Sequence, residues 1–248
     1  MLPPFATLDN STQQLWLLAL WLLWAVLLFG GFFFGKPHAQ NSRRMPTWTR
    51  ISSSFTLVVA AWSWYVFSFD EFALLIAIGM TLGFVGDLFM AELLPLKNNV
   101  MGGIAAFGLG HIAYIAGILS IGRQLELNDA STQWNALAIW LLIGVLGWYI
   151  VVFRGQTATI LHRAALPYAL LLATTTGLAT ALALEASAFV WLAIGAALFL
   201  LSDLILAAQL FNGLHFRLIS DVVWLTYGPG QMMIVYSVAK IMEIGGLS

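Results

Sequence analysis

Two aspartates stand where hydrocarbon is expected. The segment Gly83–Ala91 (GFVGDLFMA) carries Asp87, and Leu200–Ala207 (LLSDLILA) carries Asp203, each the only charge in its run. An ionised side chain at the middle of a membrane-spanning helix costs roughly 2.5–3.5 kcal/mol, so it marks a functional site unless a neighbouring helix simply satisfies it with a hydrogen bond. A low dielectric favours the neutral acid, and two carboxyls that share a site resist ionising together. One protonated acid beside one carboxylate is a general acid paired with a base or a cation stabiliser.

Other polar residues stand in the same kind of setting. Phe107–Tyr114 (FGLGHIAY) places His111 and Tyr114 three apart, on one helical face. Gly108 and Gly110 beside them permit close helix approach. His111 could orient an acid or shuttle protons; a histidine held by a hydrogen bond within the bundle is the plainer alternative. Tyr227–Gln231 (YGPGQ) puts Tyr227 and Gln231 at i and i+4 around a Gly-Pro-Gly sequence. That sequence reads as a helix break lining a site, or else as a simple kink. Ser202 adjoins Asp203, but helical neighbours point in different directions, so it ranks below the acids as a nucleophile. Asp221 reads as a solvated residue near the mouth.

Metal and thiol chemistry are disfavoured. The chain has no cysteine, and of His38, His111, His162 and His215 only His111 falls inside an apolar run. A three-histidine zinc site inside the bundle is therefore excluded. No phosphate-binding loop, nucleophile elbow or His-Glu-x-x-His pair is present. The chemistry expected is metal-free acid–base catalysis, without a cofactor.

These residues need a scaffold, and composition names it. The 248 residues are 61% hydrophobic and 8% charged, with mean hydropathy +0.91, against about 25% charged in soluble domains. Eleven Trp, seventeen Phe and 22 Gly suit transmembrane helices, with aromatics at the interfaces and small residues at the contacts. A net charge of −1 gives no reason to expect nucleic acid as a partner. The first apolar run, about 15–34, has no basic residue before it and only Asp9 as an earlier charge, so it reads as a retained span rather than a signal peptide.

Requiring about 20 apolar residues per crossing predicts an all-α integral membrane protein of eight transmembrane helices: 14–34, 51–69, 72–91, 99–121, 134–153, 164–184, 187–211 and 218–242. Together they form one polytopic domain over 1–248. Of the ten Lys and Arg, eight fall in connections on one side: Lys36, Arg43, Arg44, Arg50, Lys97, Arg154, Arg163 and Arg217. Positive charge marks the cytoplasmic face, so both termini are expected to be non-cytoplasmic. By helix rise, Asp87 and Asp203 then lie roughly 6 to 12 Å inside that face.

An internal repeat is also visible. Gly79–Ala91 and Gly195–Ala207 match at five of thirteen positions, at an offset of 116 that superimposes Asp87 on Asp203. The same offset carries His111 onto Tyr227. Four spans separate the copies, which predicts a parallel 4+4 repeat, with halves at about 14–121 and 134–242 and both acids approaching one axis.

The motifs Gly86-Asp87, Phe107-x-x-Gly110-His111-x-x-Tyr114, Leu198-x-x-x-Ser202-Asp203 and Tyr227-x-x-x-Gln231, with Pro167-Tyr168, resemble the YhhN family over about residues 75–235. The resemblance implies eight helices, catalytic aspartates at Asp87 and Asp203, and lysoplasmalogenase activity. That activity is hydrolysis of the 1-alkenyl (vinyl) ether of a lysoplasmalogen to a fatty aldehyde and a glycerophospho-ethanolamine or -choline. Either carboxyl could be the acid; Asp203, deeper and flanked by leucine, is favoured, with Asp87 ionised near His111. The lipid tail would lie in the bundle and the phosphate near Lys97 or Arg217. The alternatives are a proton-coupled membrane transporter or carrier, whose repeats and buried acids look alike, and a lipid-binding scaffold. A bacterial inner membrane is the expected location.

Overall fold

The computed structural model describes residues 11–37, 42–95, 97–157 and 159–245. Asp9 and His38 lie outside them. Eight helices account for most of the chain: α1 (Ser11–Phe33), α2 (Thr47–Ser68), α3 (Glu71–Met90), α4 (Asn99–Gln124), α5 (Ala130–Trp148), α6 (Ile160–Glu185), α7 (Val190–Asn212) and α8 (Ile219–Gly245). A π-helical turn (Tyr149–Phe153) continues α5, and a 3₁₀ turn (Ser187–Phe189) opens α7. Strands β1 (Lys36–Pro37) and β2 (Arg43–Arg44) form a small antiparallel hairpin between α1 and α2.

Seven of these helices, α1 through α7, are long and apolar enough to cross a membrane. Among the described residues α8 is longer than any of them, at 27 residues, but Tyr227, Pro229 and Gln231 dilute its hydrocarbon. The chain is a helical, multi-pass membrane protein. Local chemistry explains where the helices start and stop. Asp70 and Asp129 cap α3 and α5 by accepting from Phe72 N at 2.8 Å and Thr132 N at 2.8 Å. Hydrogen bonds from Thr132 and Ser131 hold the exposed Asp129 carboxyl below the usual carboxylate range. Gly213 closes α7 with φ at +67°, a conformation open to glycine.

Three differences from the sequence-based expectation bear on the site. Helix α2 begins at Thr47 rather than 51, so Arg50 lies inside a helix instead of in a connection. Helix α8 is continuous through Gly228-Pro229-Gly230, with no break. Its glycines serve contact instead: a Cβ at Gly228 would meet Leu28 of α1 at 2.7 Å, and one at Gly230 would meet Phe199 N of α7 at 3.1 Å. Asp221 is fully buried, not solvated.

The helices pack in sequence, α1 on α2, α2 on α3 and α3 on α4, then α5 on α6, α6 on α7 and α7 on α8. Across the middle, α2 meets α8 and α4 meets α6. Helices α1 and α5 are the least buried. Two close crossings use glycine against glycine. A Cβ at Gly110 would stand 2.9 Å from the Gly79 carbonyl, beside Leu82 and Gly83. One at Gly230 would stand 2.9 Å from the Gly195 carbonyl, beside Leu198 and Phe199. Gly79, Leu82 and Gly83 precede Gly195, Leu198 and Phe199 by 116 residues, whereas Gly110 precedes Gly230 by 120. At the 120 offset of this crossing His111 falls on Gln231 and Phe107 on Tyr227, whereas the 116 offset carries His111 onto Tyr227.

Candidate functional site

The two aspartates reach one cavity. It measures about 240 Å³ and lies near the arginine-rich end of the bundle, lined by Asp87, Asp203, Tyr227, Arg44, Arg50 and Trp224 among others. A second, apolar cavity of about 80 Å³ lies between α4, α5, α6 and α7, with Ile104, Trp148, Leu172 and Leu204 in its wall. Met90, Val100, Phe107, Asp203, Leu206 and Leu210 line both. Asp203 thus stands where a chamber that carries charged side chains meets an oily one.

Each acid takes a hydroxyl from the helix that precedes its own. Ser54 of α2 donates to Asp87 Oδ2, and Tyr168 of α6 donates to Asp203 Oδ2. Beyond that shared pattern the two settings diverge. Asp87 Oδ2 also accepts from Tyr227 Oη at 3.0 Å, and Asp87 is 3% exposed. Its other oxygen has no hydrogen-bond partner among the described residues. Asp203 is partly exposed, and its Oδ1 lies 3.3 Å from Ser202 Oγ. A serine hydroxyl has one proton to give, and that of Ser202 goes to Phe199 O at 2.7 Å. Asp203 Oδ1 therefore lacks a firm donor.

A chain of hydrogen bonds stands behind Asp87. Tyr114 Oη donates to Gln231 Oε1 at 3.0 Å, and Gln231 Nε2 donates to Tyr227 Oη at 3.2 Å. Tyr114 and Gln231 are buried and absent from the cavity wall; they fix Tyr227, which lines it.

His111 touches neither carboxyl. Its Nδ1 lies 2.9 Å from Thr175 Oγ1, whose own proton goes to Leu171 O at 3.0 Å. Nδ1 is thus the donor, and Nε2 is left buried and unpartnered among the described residues. The ring packs edge-on against Phe199, Tyr114 and Tyr168, with centroids 4.6, 5.6 and 6.4 Å away. Phe107 and Tyr227 pack on the same Phe199 at 5.9 and 5.1 Å and on each other at 6.0 Å. This aromatic cluster keeps α4, α7 and α8 at fixed separation beneath the acids.

Lys97 and Arg217 do not line the cavity. Both are exposed, and Arg217 contributes its backbone carbonyl to Arg43 N at 2.7 Å. The arginines at the cavity are Arg44 and Arg50. Their neighbour Arg43 turns the other way and acts as a latch. Its Nη1 reaches Asp221 Oδ2 at 3.1 Å, its Nε reaches Gly35 O at 3.3 Å, and its Nη2 reaches Phe32 O. Asp221 Oδ1 accepts from Met45 N at 2.7 Å. The buried acid of α8 therefore anchors the hairpin that carries Arg44.

Sequence reasoning missed Ser54, Tyr168 as a site residue, Thr175, Arg44 and Arg50. Among the described residues no three His, Cys, Asp or Glu side chains are grouped to hold a metal ion. No curated protein and no solved structure matches the chain. A family profile does, over residues 45–238, a range that takes in both aspartates, their hydroxyl donors and the whole Tyr114–Gln231–Tyr227 chain. The protein belongs to the YhhN family.

Proposed function

We propose that this protein is a lysoplasmalogenase, an ether hydrolase of lipid metabolism that cleaves the vinyl ether of a lysoplasmalogen with Asp87 and Asp203. The observation that carries the reading is the meeting of two carboxyls with different hydrogen-bond settings where a cavity lined partly by charged side chains joins an apolar one. Family membership is consistent with it.

The reaction asks for what this site contains. Protonating the β-carbon of the vinyl ether places a positive charge on the adjacent carbon and ether oxygen, an oxocarbenium ion. Water then adds to that carbon and loses a proton, and the resulting hemiacetal collapses to aldehyde and the free glycerol hydroxyl. Asp203, bordering the apolar chamber and short of donors on Oδ1, is assigned as the acid. Asp87, given two hydroxyl donors on one oxygen, is assigned as the anion that stabilises the cation and takes the proton from water. Two carboxyls around an oxocarbenium ion is also the logic of glycoside hydrolysis. The apolar cavity would receive the reacting end of the alkenyl chain.

The scaffold belongs to the same proposal. All eight helices span, α1 to α4 and α5 to α8 form two parallel halves, and both termini lie outside the cytoplasm. Positive charge in the connections at the Arg44 end supports that orientation, and the matched glycine crossings and matched hydroxyl donors support the repeat. A bacterial inner membrane is the proposed location. The unbroken α8 removes the discontinuous helix that a carrier would use, so the enzyme is preferred to the transporter.

The test is direct. Purified protein in detergent is incubated with 1-alkenyl-glycerophosphoethanolamine, and aldehyde release is measured. Aldehyde at rates far above the buffer control supports the proposal. No release at any pH overturns it.

A further inference from the structure

Arg44 and Arg50 are two cations with no salt bridge among the described residues, although carboxylates stand near both. Among the described residues the ion pairs are Arg43–Asp221 and Lys240–Glu243, and neither includes them. Arg50 is 3% exposed. It donates Nη2 to Thr47 Oγ1 at 3.1 Å and stacks on the Trp224 ring at 5.3 Å, yet its Nε, like that of Arg44, is buried without a partner among the described residues. Burial pulls the Arg44 guanidinium below the usual arginine range, against the opposing pull of Glu92 and Asp221. Holding a guanidinium in a poorly solvated place with no carboxylate in direct contact is costly, and a ligand anion would relieve that cost.

The fold goes to some length to place them there. Alternation along a strand sends adjacent side chains to opposite faces. With Arg43 committed to Asp221, Arg44 faces the cavity, and Arg50 arrives from the first turn of α2. Glu92 completes the wall from the α3–α4 turn, where its own N–H bonds Phe89 O at 2.9 Å. It forms no ion pair with either arginine, which leaves space between opposite charges.

We propose that Arg44, Arg50 and Glu92 form a head-group site for a zwitterionic phosphodiester, with phosphate on the two guanidinium groups and an ammonium group on Glu92. Arginine suits this role because its planar fork of donors matches phosphate oxygens. The site rests on the lysophospholipid reading above and sharpens it: the substrate is held by a phosphate and a positive head group at the same end of the cavity as the acids.

The experiment uses ether lipids that cannot be hydrolysed, so binding is read without turnover. Full-length protein in detergent is titrated with 1-O-alkyl-glycerophosphoethanolamine, with 1-O-alkyl-glycerophosphate and with 1-O-alkylglycerol. Arg44→Gln and Arg50→Gln should each weaken the two phosphate-bearing lipids about 10- to 100-fold and leave the alkylglycerol unchanged. Arg44→Lys and Arg50→Lys should recover part of the loss. Glu92→Gln should weaken only the ethanolamine lipid, by about 3-fold. Equal losses for all three lipids, or none, in the arginine variants overturn the site, as does a Glu92→Gln effect that ignores the ammonium. If the binding pattern holds while the wild type releases no aldehyde, the hydrolase reading fails and the site stands. If aldehyde is released while the arginine variants bind normally, the site fails alone.

Discussion

Tyr227 Oη donates to Asp87 Oδ2 at 3.0 Å across the α3–α8 interface, and one turn further along α8 Gln231 holds that hydroxyl in place. The direction of every bond in the chain is set, since Gln231 Nε2 can only donate and Tyr227 must pass its proton to the carboxylate. Tyr227→Phe removes a donor to a charged group, a contact worth about 1.5–3 kcal/mol. Aldehyde release should fall by about an order of magnitude or more. Tyr114→Phe, three hydrogen bonds away from Asp87, should cost less. Stopped-time assays of kcat for the two variants check the order, and a larger loss for Tyr114→Phe would contradict the relay.

Asp87→Asn and Asp203→Asn should each lower kcat by about 10²- to 10⁴-fold, the usual contribution of a positioned acid or base. Thermal unfolding in detergent should change little in comparison. The pH profile of the wild type should be bell-shaped, and the sign is clear on both sides. Acidification protonates the carboxylate that must remain an anion, and alkalinisation removes the proton that must be donated. A rate that rises or falls monotonically would show that only one of the two groups acts.

Gly79→Ala would drive a Cβ to 2.3 Å from the Tyr114 ring, and Gly195→Ala would bring one to 2.7 Å from the Gly230 carbonyl. Overpacking of this kind costs about 1–3 kcal/mol, and the first variant also disturbs the chain behind Asp87. Gly30→Ala is the control, because nothing lies within 4 Å of its Cβ position and alanine is the better helix former. Melting temperatures should drop for the first two and hold or rise for the third.

Breaking the latch should be costly and replacing it less so. Asp221→Asn keeps an acceptor for Met45 N but leaves Arg43 without its counter-charge, for a loss of about 3 kcal/mol. The double variant Arg43→Met with Asp221→Leu should lose less than Asp221→Leu alone. Denaturation of the four proteins, read as a double-mutant cycle, checks this, and simple additivity would argue against coupling.

A chelator should leave aldehyde release unchanged, because proton transfer between carboxyls and substrate needs no metal. Inhibition by a chelator that is reversed by added metal would require a different mechanism.

The acids were legible from sequence because a carboxylate in hydrocarbon is costly and therefore conspicuous. Tyr227 and Gln231 were legible for a related reason, being polar at helical spacing. The glycines were legible as contacts, but Gly228-Pro229-Gly230 was misread as a break, since close approach and helix disruption call for the same residues. Ser54 and Tyr168 were hidden because a hydroxyl is cheap in an apolar helix and occurs there routinely. The one available signal was relational: they stand 33 and 35 residues before the acids they serve. Arg50 was hidden by the habit of ending a span at a charge, when Trp224 in fact shelters it. Lys97 and Arg217 drew attention by being basic and near, whereas inward direction, which only packing supplies, separates them from Arg44 and Arg50.

The unequal offsets of the glycine crossings, 116 on one helix pair and 120 on the other, have a bearing on how a ligand could enter. A cleft with true two-fold symmetry would accept an asymmetric molecule in either of two reversed poses with no preference between them. A slip of one helical turn sets His111 opposite Gln231 and Phe107 opposite Tyr227, so the mirror pose meets a different wall. Tyr227 then serves Asp87, and Phe107, which the 120 offset pairs with it, has no hydroxyl to offer Asp203. On the proposed repeat, the frame has a direction of travel.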